Sequence, residues 1–344
     1  MKYLWRLLPF TFIMLLAGCG KQNLSALDPQ GPVAETQFSL IRLSLYIMIF
    51  VIVVVFAIYV FVLIKFRDKE DDTHMPKQVH GNKALEVIWT TIPIVLLLIL
   101  AVPNVMETFT LADTEPTEES MTVRVHAHQF WWEFEYPDYD VVAGQDMYIP
   151  TNTKIVLELE ASDVIHSFWV PALAGKQDNV PGIMNPMWIE APNEGVYMGK
   201  CTELCGPAHW LMDFKVIAVD PDTFETWAAN MVEGPEDVTE TGNEIAVEGR
   251  EIFEASCIAC HAVAGEGGNP QGGPALTNFG ERTVIAGYLP WDDDDVNLEA
   301  WIRDPGPLKP GNAMPAVADL PYGDLNDEEM EALIAYLKTL KVLE

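Results

Sequence analysis

Residues 199–214, GKCTELCGPAHWLMDF, gather four soft or borderline metal donors: Cys201, Cys205, His209 and Met212. Thiolate and thioether sulfur together favour copper over zinc, calcium or magnesium. Two bridging thiolates can hold two copper ions close together, and each ion then needs a nitrogen ligand of its own. The loop supplies one histidine, so a second must come from elsewhere. The alternative is a disulfide, which would close only a short loop and leave His209 and Met212 unexplained.

A second chemical motif lies near the C-terminus. CIACH is the C-x-x-C-H signature of covalent c-type haem attachment, in which Cys257 and Cys260 form thioethers and His261 ligates the iron. A redox C-x-x-C is the alternative, but no βαβ pattern accompanies it. Met314, in the irregular segment KPGNAMPA, is the expected sixth ligand, because His/Met ligation suits an electron carrier. Met330, on the apolar face of the last predicted helix, and a lysine are the alternatives.

The N-terminal sequence has the features of a secretory signal, which predicts that the chain is exported. Lys2 and Arg6 precede an apolar run over 7–16 and the segment Leu-Ala-Gly-Cys. A basic start, a short apolar region and a small-residue cleavage site describe a secretory signal. The last four residues resemble a bacterial lipobox, in which Cys19 receives a lipid anchor. Residues 1–18 are therefore expected to be a lipoprotein signal peptide; an ordinary signal peptide with an incidental cysteine is the alternative.

Two longer uncharged apolar stretches, 43–64 and 87–106, predict a transmembrane hairpin within residues 19–112. Each has the roughly 20 residues that a helix needs to cross a bilayer. The loop between them carries five basic residues: Lys65, Arg67, Lys69, Lys77 and Lys83. By the positive-inside rule this loop is cytoplasmic, so everything after about residue 107 faces outside. We expect a multi-pass protein of a bacterial plasma membrane.

Two external domains are expected. Residues 113–230 contain alternating, β-branched and aromatic runs, such as MTVRVHAHQFWWEFEY and MDFKVIAV, which indicate an antiparallel β-sandwich or barrel. An acidic linker over 231–243 follows. Residues 244–344 have helical patterns at both ends, and Asn326 with Glu329 forms a candidate capping box for the last helix.

The external part is strongly acidic. From residue 113 onward it has 11 Lys and Arg against 43 Asp and Glu, which accounts for the formal charge of −31 of the whole chain. Such a surface attracts basic soluble partners and disfavours nucleic acid.

Elimination reduces the number of histidines that could be the second nitrogen ligand of the copper site. The chain has seven histidines, at positions 74, 80, 126, 128, 166, 209 and 261. His74 and His80 lie on the predicted cytoplasmic side, and His261 belongs to the haem motif. The residues alone therefore leave His126, His128 and His166 as candidates.

A resemblance selects among them. IHSFWVP at 165–171, together with CTELCGPAHWLM, resembles the binuclear CuA centre of cytochrome c oxidase subunit II. The resemblance implies a cupredoxin β-sandwich and two coppers held by matching residues: His166, Cys201, Cys205, His209, Met212 and the backbone carbonyl of Glu203. It also implies a magnesium ion, shared between subunit I and the Glu203 carboxylate.

The resemblance extends to both flanking regions. LEVIWTTIP, from Leu85, matches the start of the family's second transmembrane helix, where Glu86 corresponds to a carboxylate at the mouth of a proton-uptake channel. A snorkelling interfacial acid is the alternative. GREIFEASCIACH and WIRDPGPLKPGNAMPA resemble class I cytochrome c, an all-α fold. One departure is Phe130, which stands where the family has a tryptophan that accepts electrons from soluble cytochrome c.

The sequence therefore resembles subunit II of a bacterial haem–copper oxidase fused to cytochrome c. Electrons would pass from an external donor, either a quinol–cytochrome c reductase or a basic cytochrome c, through haem c and CuA to subunit I. That subunit would reduce oxygen with proton translocation, alongside subunits III and IV. The alternatives are a lipid-anchored copper chaperone, which holds one copper, and a protein similar to nitrous oxide reductase, which would not need the hairpin. A quinol-oxidase subunit II would lack the copper ligands.

Overall fold

A computed structural model of the chain describes residues 24–67, 78, 80–268 and 272–343. These described residues form two compact units: one lies within 35–113, and the other comprises 24–34 together with the described residues from 114 onward. The predicted signal peptide, 1–18, and the predicted lipidation site Cys19 lie outside the described residues.

The first unit consists of two long helices, most of α1 (Pro32–Lys65) and all of α2 (Lys83–Leu111). Both are long and apolar enough to cross a membrane. They extend beyond the predicted spans because the apolar run marks only the part that suits lipid, whereas the backbone hydrogen bonds continue into polar residues. Asn82 begins α2 by accepting hydrogen bonds from the backbone N–H groups of Ala84 and Leu85 at 3.0 and 3.3 Å.

The sandwich of the second unit consists of two five-stranded sheets. In chain order the strands are β1 (Met121–His128), β2 (Trp131–Tyr136), β3 (Val141–Gly144), β4 (Asp146–Pro150), β5 (Ile155–Ala161), β6 (His166–Trp169), β7 (Lys176–Asn179), β8 (Asn185–Ile189), β9 (Gly195–Cys201) and β10 (Asp213–Val219). One sheet has the order β3-β2-β1-β5-β8 and the other β4-β10-β9-β6-β7.

The sandwich prediction is confirmed, but its strands are not all antiparallel. β1 pairs with β5 in parallel, and so does β10 with β4. Alternate residues of β1 are buried, which is the period-2 pattern of a strand with one face on the core. Helix α3 (Pro221–Glu233), capped by Asp220, then packs Trp227 against Tyr148 with ring centroids 4.7 Å apart.

The C-terminal domain is mainly helical: α4 (Glu244–Ser256), α5 (Val296–Arg303), α6 (Pro305–Leu308) and α7 (Asp327–Thr339). Two short hairpins accompany them, β11 (Ala262–Val263) with β12 (Gly267–Gly268), and β13 (Val284–Ile285) with β14 (Leu289–Pro290). Helices α4 and α7 cross closely at Gly249, which has no side chain. A Cβ added there would lie 2.9 Å from the backbone nitrogen of Leu333. The predicted capping box of Asn326 and Glu329 is present.

The predicted linker, 231–243, begins within the last turn of α3, which ends at Glu233, and contributes to the core of the C-terminal domain. Val238 is 2% exposed and belongs to that domain's apolar cluster. Asp237 accepts a hydrogen bond from Arg250 at 3.1 Å. The segment is therefore packed against the domain that it precedes.

Candidate copper and haem sites

The cysteine loop connects two adjacent strands of the sandwich. Cys201 ends β9, His209 begins a 3-10 turn over His209–Leu211, and Met212 follows that turn immediately before β10. β6 supplies His166, and its residue Phe168 pairs with Cys201. Two strands and one loop of a single domain thus bring the five side chains together.

The sulfur and nitrogen atoms of this cluster lie within a few ångströms of one another. The two sulfurs of Cys201 and Cys205 are 3.9 Å apart, far longer than the roughly 2.05 Å of a disulfide bond. The sulfur of Cys201 lies 3.9 Å from Nδ1 of His166 and 3.3 Å from the carbonyl oxygen of Glu203. The sulfur of Cys205 lies 3.6 Å from Nδ1 of His209 and 3.9 Å from the sulfur of Met212. Each nitrogen is therefore beside a different thiol.

Four of the five side chains of the cluster are buried, and His209 is half-buried. His166 and Met212 are fully buried, and Cys201 is 6% exposed. Two thiols this close cannot both be anionic without a cation to balance them. A hydrogen bond with Cys205 accordingly lowers the pKa of Cys201, and the same bond raises the pKa of Cys205. Soft donors, burial and paired sulfurs fit a binuclear copper centre.

Asp163 is a residue of this site that the sequence did not reveal. Its Oδ1 lies 2.8 Å from Nε2 of His166, so it orients the ring with Nδ1 toward the sulfurs. Partial burial opposes ionisation of Asp163, but hydrogen bonds from His166, Val164 and Gln129 outweigh burial and lower the pKa of the carboxyl group. The sequence signal was an acid three residues before the histidine, which is too common a pattern to single out.

The other two candidate histidines lie elsewhere in the sandwich. His126 pairs with Glu135 at 3.5 Å. His128 stacks on Trp131 with ring centroids 4.0 Å apart, and its Nδ1 lies 2.8 Å from the Ser162 hydroxyl. Neither belongs to the cluster of possible metal ligands found in the described residues, which contains His166 with both cysteines.

The haem motif opens into an apolar cavity in the C-terminal domain. Cys257, Cys260, His261 and Met314 all line it. Nδ1 of His261 lies 2.8 Å from the carbonyl oxygen of Pro274, and burial lowers the pKa of the ring. A neutral ring that donates through Nδ1 leaves Nε2 free to bind a metal. The residues present thus fit a covalently attached haem.

The alternative sixth ligand is placed differently. Met330 is 2% exposed and belongs to the apolar core between the helices. Met314 lies in an irregular segment after α6, and its backbone N–H donates to Asn312 Oδ1 at 2.9 Å. Of the two methionines, the cavity is lined by Met314.

The sandwich forms part of the wall of the haem cavity, which the sequence did not predict. Gln129, Phe130, Trp131 and Gln145 line the cavity together with residues of the C-terminal domain. The ring of Phe130 also lies against Gly206 of the cysteine loop. A Cβ added to that glycine would be 2.9 Å from the ring. The residue that departs from the family pattern therefore lies between the cavity and the cysteine loop.

The two remaining predicted site groups are the carboxylates of Glu86 and Glu203. Glu86 is exposed in the first turn of α2. Glu203 is half-buried in the cysteine loop, where Leu204 and Trp210 are 80% and 71% exposed.

Comparisons with known proteins agree with this architecture. Three family models match: "Cytochrome C oxidase subunit II, transmembrane domain" over 21–106, "Cytochrome C oxidase subunit II, periplasmic domain" over 141–219, and "Cytochrome c" over 246–341. Cytochrome c oxidase subunit 2 of Alkalihalophilus pseudofirmus is 54% identical, that of Bacillus sp. 46%, and that of Bacillus subtilis 41%. Each alignment covers 98% of both chains.

Proposed function

Because the chain belongs to the cytochrome c oxidase subunit II family, we propose that its sandwich holds a binuclear CuA centre and its C-terminal domain a covalent haem c. The subunit supports the passage of electrons into a haem–copper oxidase, in partnership with subunit I. It is a membrane protein with an extracellular domain. The copper-chaperone alternative is not favoured by these relatives.

The observation that carries the proposal is the geometry of the cysteine loop. His166, Cys201, Cys205, His209 and Met212 would be the copper ligands, with the Glu203 carbonyl as a further donor. In the haem site, Cys257 and Cys260 would form the thioethers, and His261 and Met314 would be the axial ligands. When bound, these groups supply one-electron transfer. The chain itself fixes the donor atoms on β6, β9 and one loop, and it buries every donor side chain except the half-buried His209.

Electrostatics favour a basic external donor. The external part has a large excess of acidic residues, which would steer basic proteins toward it and weaken with salt. We propose a basic cytochrome c or a quinol–cytochrome c reductase as the donor. Subunits III and IV are further proposed partners, and proton translocation belongs to the whole complex.

Three further assignments concern the membrane side and subunit I. Cys19 is proposed to be lipidated after cleavage of residues 1–18, which would add a lipid anchor to a multi-pass topology. The Glu203 carboxylate is proposed to bind magnesium at the contact with subunit I, where the exposed Leu204 and Trp210 would be covered. Glu86 is proposed as a proton-uptake carboxylate; as an acid in a first helical turn it also complements the helix dipole.

Metal and haem stoichiometry of the purified full-length subunit tests the proposal. We expect two coppers and one c-type haem per chain, and an electron paramagnetic resonance spectrum with one unpaired electron shared equally between the coppers. One copper with an ordinary mononuclear spectrum would instead indicate a chaperone-like site.

A matched pair of methionine variants tests the axial ligand. Met314→Leu should abolish the thioether-to-iron absorption band and lower the haem potential, because thioether ligation raises it. Met330→Leu, in the core of the same domain, should keep the band. Survival of the band in Met314→Leu would show that another group is the ligand.

A further inference from the structure

The haem cavity has an unexpected charge composition. Besides His261, its described lining residues include two cations, Arg282 and Lys309, and no aspartate or glutamate. The whole chain has 51 acids and 20 bases, so chance would favour the opposite sign. Buried charge is costly unless it is paired. Two buried cations in a lining that contributes no carboxylate of its own therefore indicate an anionic ligand.

Lys309 is only 3% exposed and connects the two domains. Its ammonium donates to the carbonyl oxygens of Phe130, in the sandwich, and Ala286, in the C-terminal domain, both at 2.7 Å. An ammonium group has three N–H donors, so one remains for a further acceptor.

Arg282 is 6% exposed, and its Nη2 donates to the carbonyl oxygen of Ala275 at 2.6 Å. Its Nε makes no hydrogen bond within the part of the chain that the structure describes. The nearby carboxyl group of Asp146, 4% exposed, faces both Arg282 and the buried Lys215. Asp146 is thus shared between two cations, and the half-buried Glu281 also faces Arg282. Arg282 still keeps Nε as an unused donor.

Gln145 brings a third donor from the sandwich. It is 4% exposed, and its Oε1 accepts a hydrogen bond from the backbone N–H of Trp132 at 2.9 Å. Because the oxygen is used in this way, the amide is fixed with Nε2 as its donor atom. That Nε2 is buried without a hydrogen-bond partner among the described residues. It lies directly beside Gly287 of the C-terminal domain.

We propose that Gln145, Lys309 and Arg282 bind the two propionate carboxylates of haem c, so that the haem site is shared between the sandwich and the C-terminal domain. The inference rests on the proposed function, because it requires haem at Cys257 and Cys260. The propionates are the anionic part of an otherwise apolar group, and they match the donors that these three side chains contribute to the cavity lining. Haem attachment and docking of the two domains then stabilise each other.

Redox titration of full-length variants tests the shared site. Gln145→Leu removes the sandwich donor, and Lys309→Met removes a cation from the C-terminal domain. Because a propionate with fewer donors favours oxidised haem, both should lower the haem c potential. We expect about a tenfold change in the reduction constant for Lys309→Met, about 59 mV for a one-electron couple, and a smaller change for Gln145→Leu. Gln177→Leu and Lys338→Met, outside the cavity, are the matched controls.

Infrared difference spectra between oxidised and reduced protein give a direct readout. With haem labelled with ¹³C at the propionate carboxylates, the isotope-sensitive bands should move in Gln145→Leu and stay in place in Gln177→Leu. If the haem c potential and the isotope-sensitive infrared bands of both test variants match those of the controls, the proposal of a shared site is wrong even though haem is bound. The absence of c-type haem from the unsubstituted protein would instead refute the proposed function. The copper spectrum of each sample reports whether the sandwich has folded; if Gln145→Leu does not accumulate, Gln145→Met replaces it.

Discussion

The copper and haem sites differ in how many domains build them. All five candidate copper side chains come from the sandwich, on β6, the end of β9 and one loop. The haem cavity is lined by the C-terminal domain and by four residues of the sandwich. Assembly of the copper site therefore depends on the fold of one domain, whereas the haem environment also depends on how two domains pack.

This difference has a functional meaning. A centre that one domain builds keeps its geometry whenever that domain is folded. A site shared across a domain boundary places the haem close to the copper loop only when the domains are docked. Fusing the two carriers in one chain raises their effective concentration, and Lys309 adds hydrogen bonds that fix their relative position.

The largest expected effect comes from removing one of the two proposed bridging thiolates. Cys201→Ala should abolish binding of both coppers, because one remaining sulfur cannot bridge them, and electron delivery to subunit I should fall by roughly 100-fold or more. The haem spectrum should be unchanged, because none of the copper ligands lines the haem cavity. Metal analysis with haem spectra on one sample checks this; loss of haem as well would contradict independent assembly of the copper site.

A smaller effect is expected at the residue that orients His166. Asp163→Asn should weaken copper binding by roughly 10–100-fold, as outer-shell partners do. The control is Asp178→Asn on β7, whose carboxylate is 3.7 Å from Lys176. Competition with a copper chelator measures both, and equal affinities would show that Asp163 does not support the site.

Breaking the docking should affect the haem side first. Gly287 and Gly323 have similar positive φ angles, 83° and 90°, so alanine strains both backbones alike. At Gly287 the added Cβ would lie 2.6 Å from the carbonyl oxygen of Asp213 in the sandwich, whereas at Gly323 nothing lies within 4 Å.

Overpacking of this kind costs about 1–3 kcal/mol, so Gly287→Ala should be less stable than Gly323→Ala by about that amount. Its haem potential should also shift while the copper spectrum stays the same. Denaturant unfolding and redox titration test this, and identical behaviour of the two variants would show that the interface tolerates the change.

The smallest expected effect is a pH dependence of the sandwich. Burial lowers the pKa of His128 to about 4, from an ordinary value of 6.5. Between these values the unfolded chain binds more protons than the folded one, so stability falls as pH drops from about 6.5 to about 4. With partial exposure taken into account, the loss is about 1–2 kcal/mol. His128→Gln should reduce the pH dependence of the unfolding of the sandwich, which can be followed by the loss of the copper signal. If the variant keeps the full pH dependence, groups other than His128 cause it.

Local patterns predicted most of the elements correctly. The two apolar stretches, the helix capped by Asn326 and the long strands β1, β5, β9 and β10 all follow from periodicity or capping within the segment itself. Short strands such as β6 and β7 were not predicted, because four residues give too little alternation. The side-chain pattern of α4 did not reveal its buried face at the start of the helix, where Ile245 is 51% exposed and the neighbouring Ala246 is buried.

The sequence by itself determined the two chemical centres, because their donors lie in short motifs: C-x-x-C-H for haem, and the cysteine loop for copper. Choosing His166 over His126 and His128 needed a family resemblance, since strands distant in sequence bring it to the cysteines. Only the tertiary structure placed Asp163 behind His166, and Gln145, Arg282 and Lys309 in the lining of the haem cavity. Their positions depend on strand pairing and domain packing over long separations, and contacts of that kind leave no periodic or local signal in a single sequence.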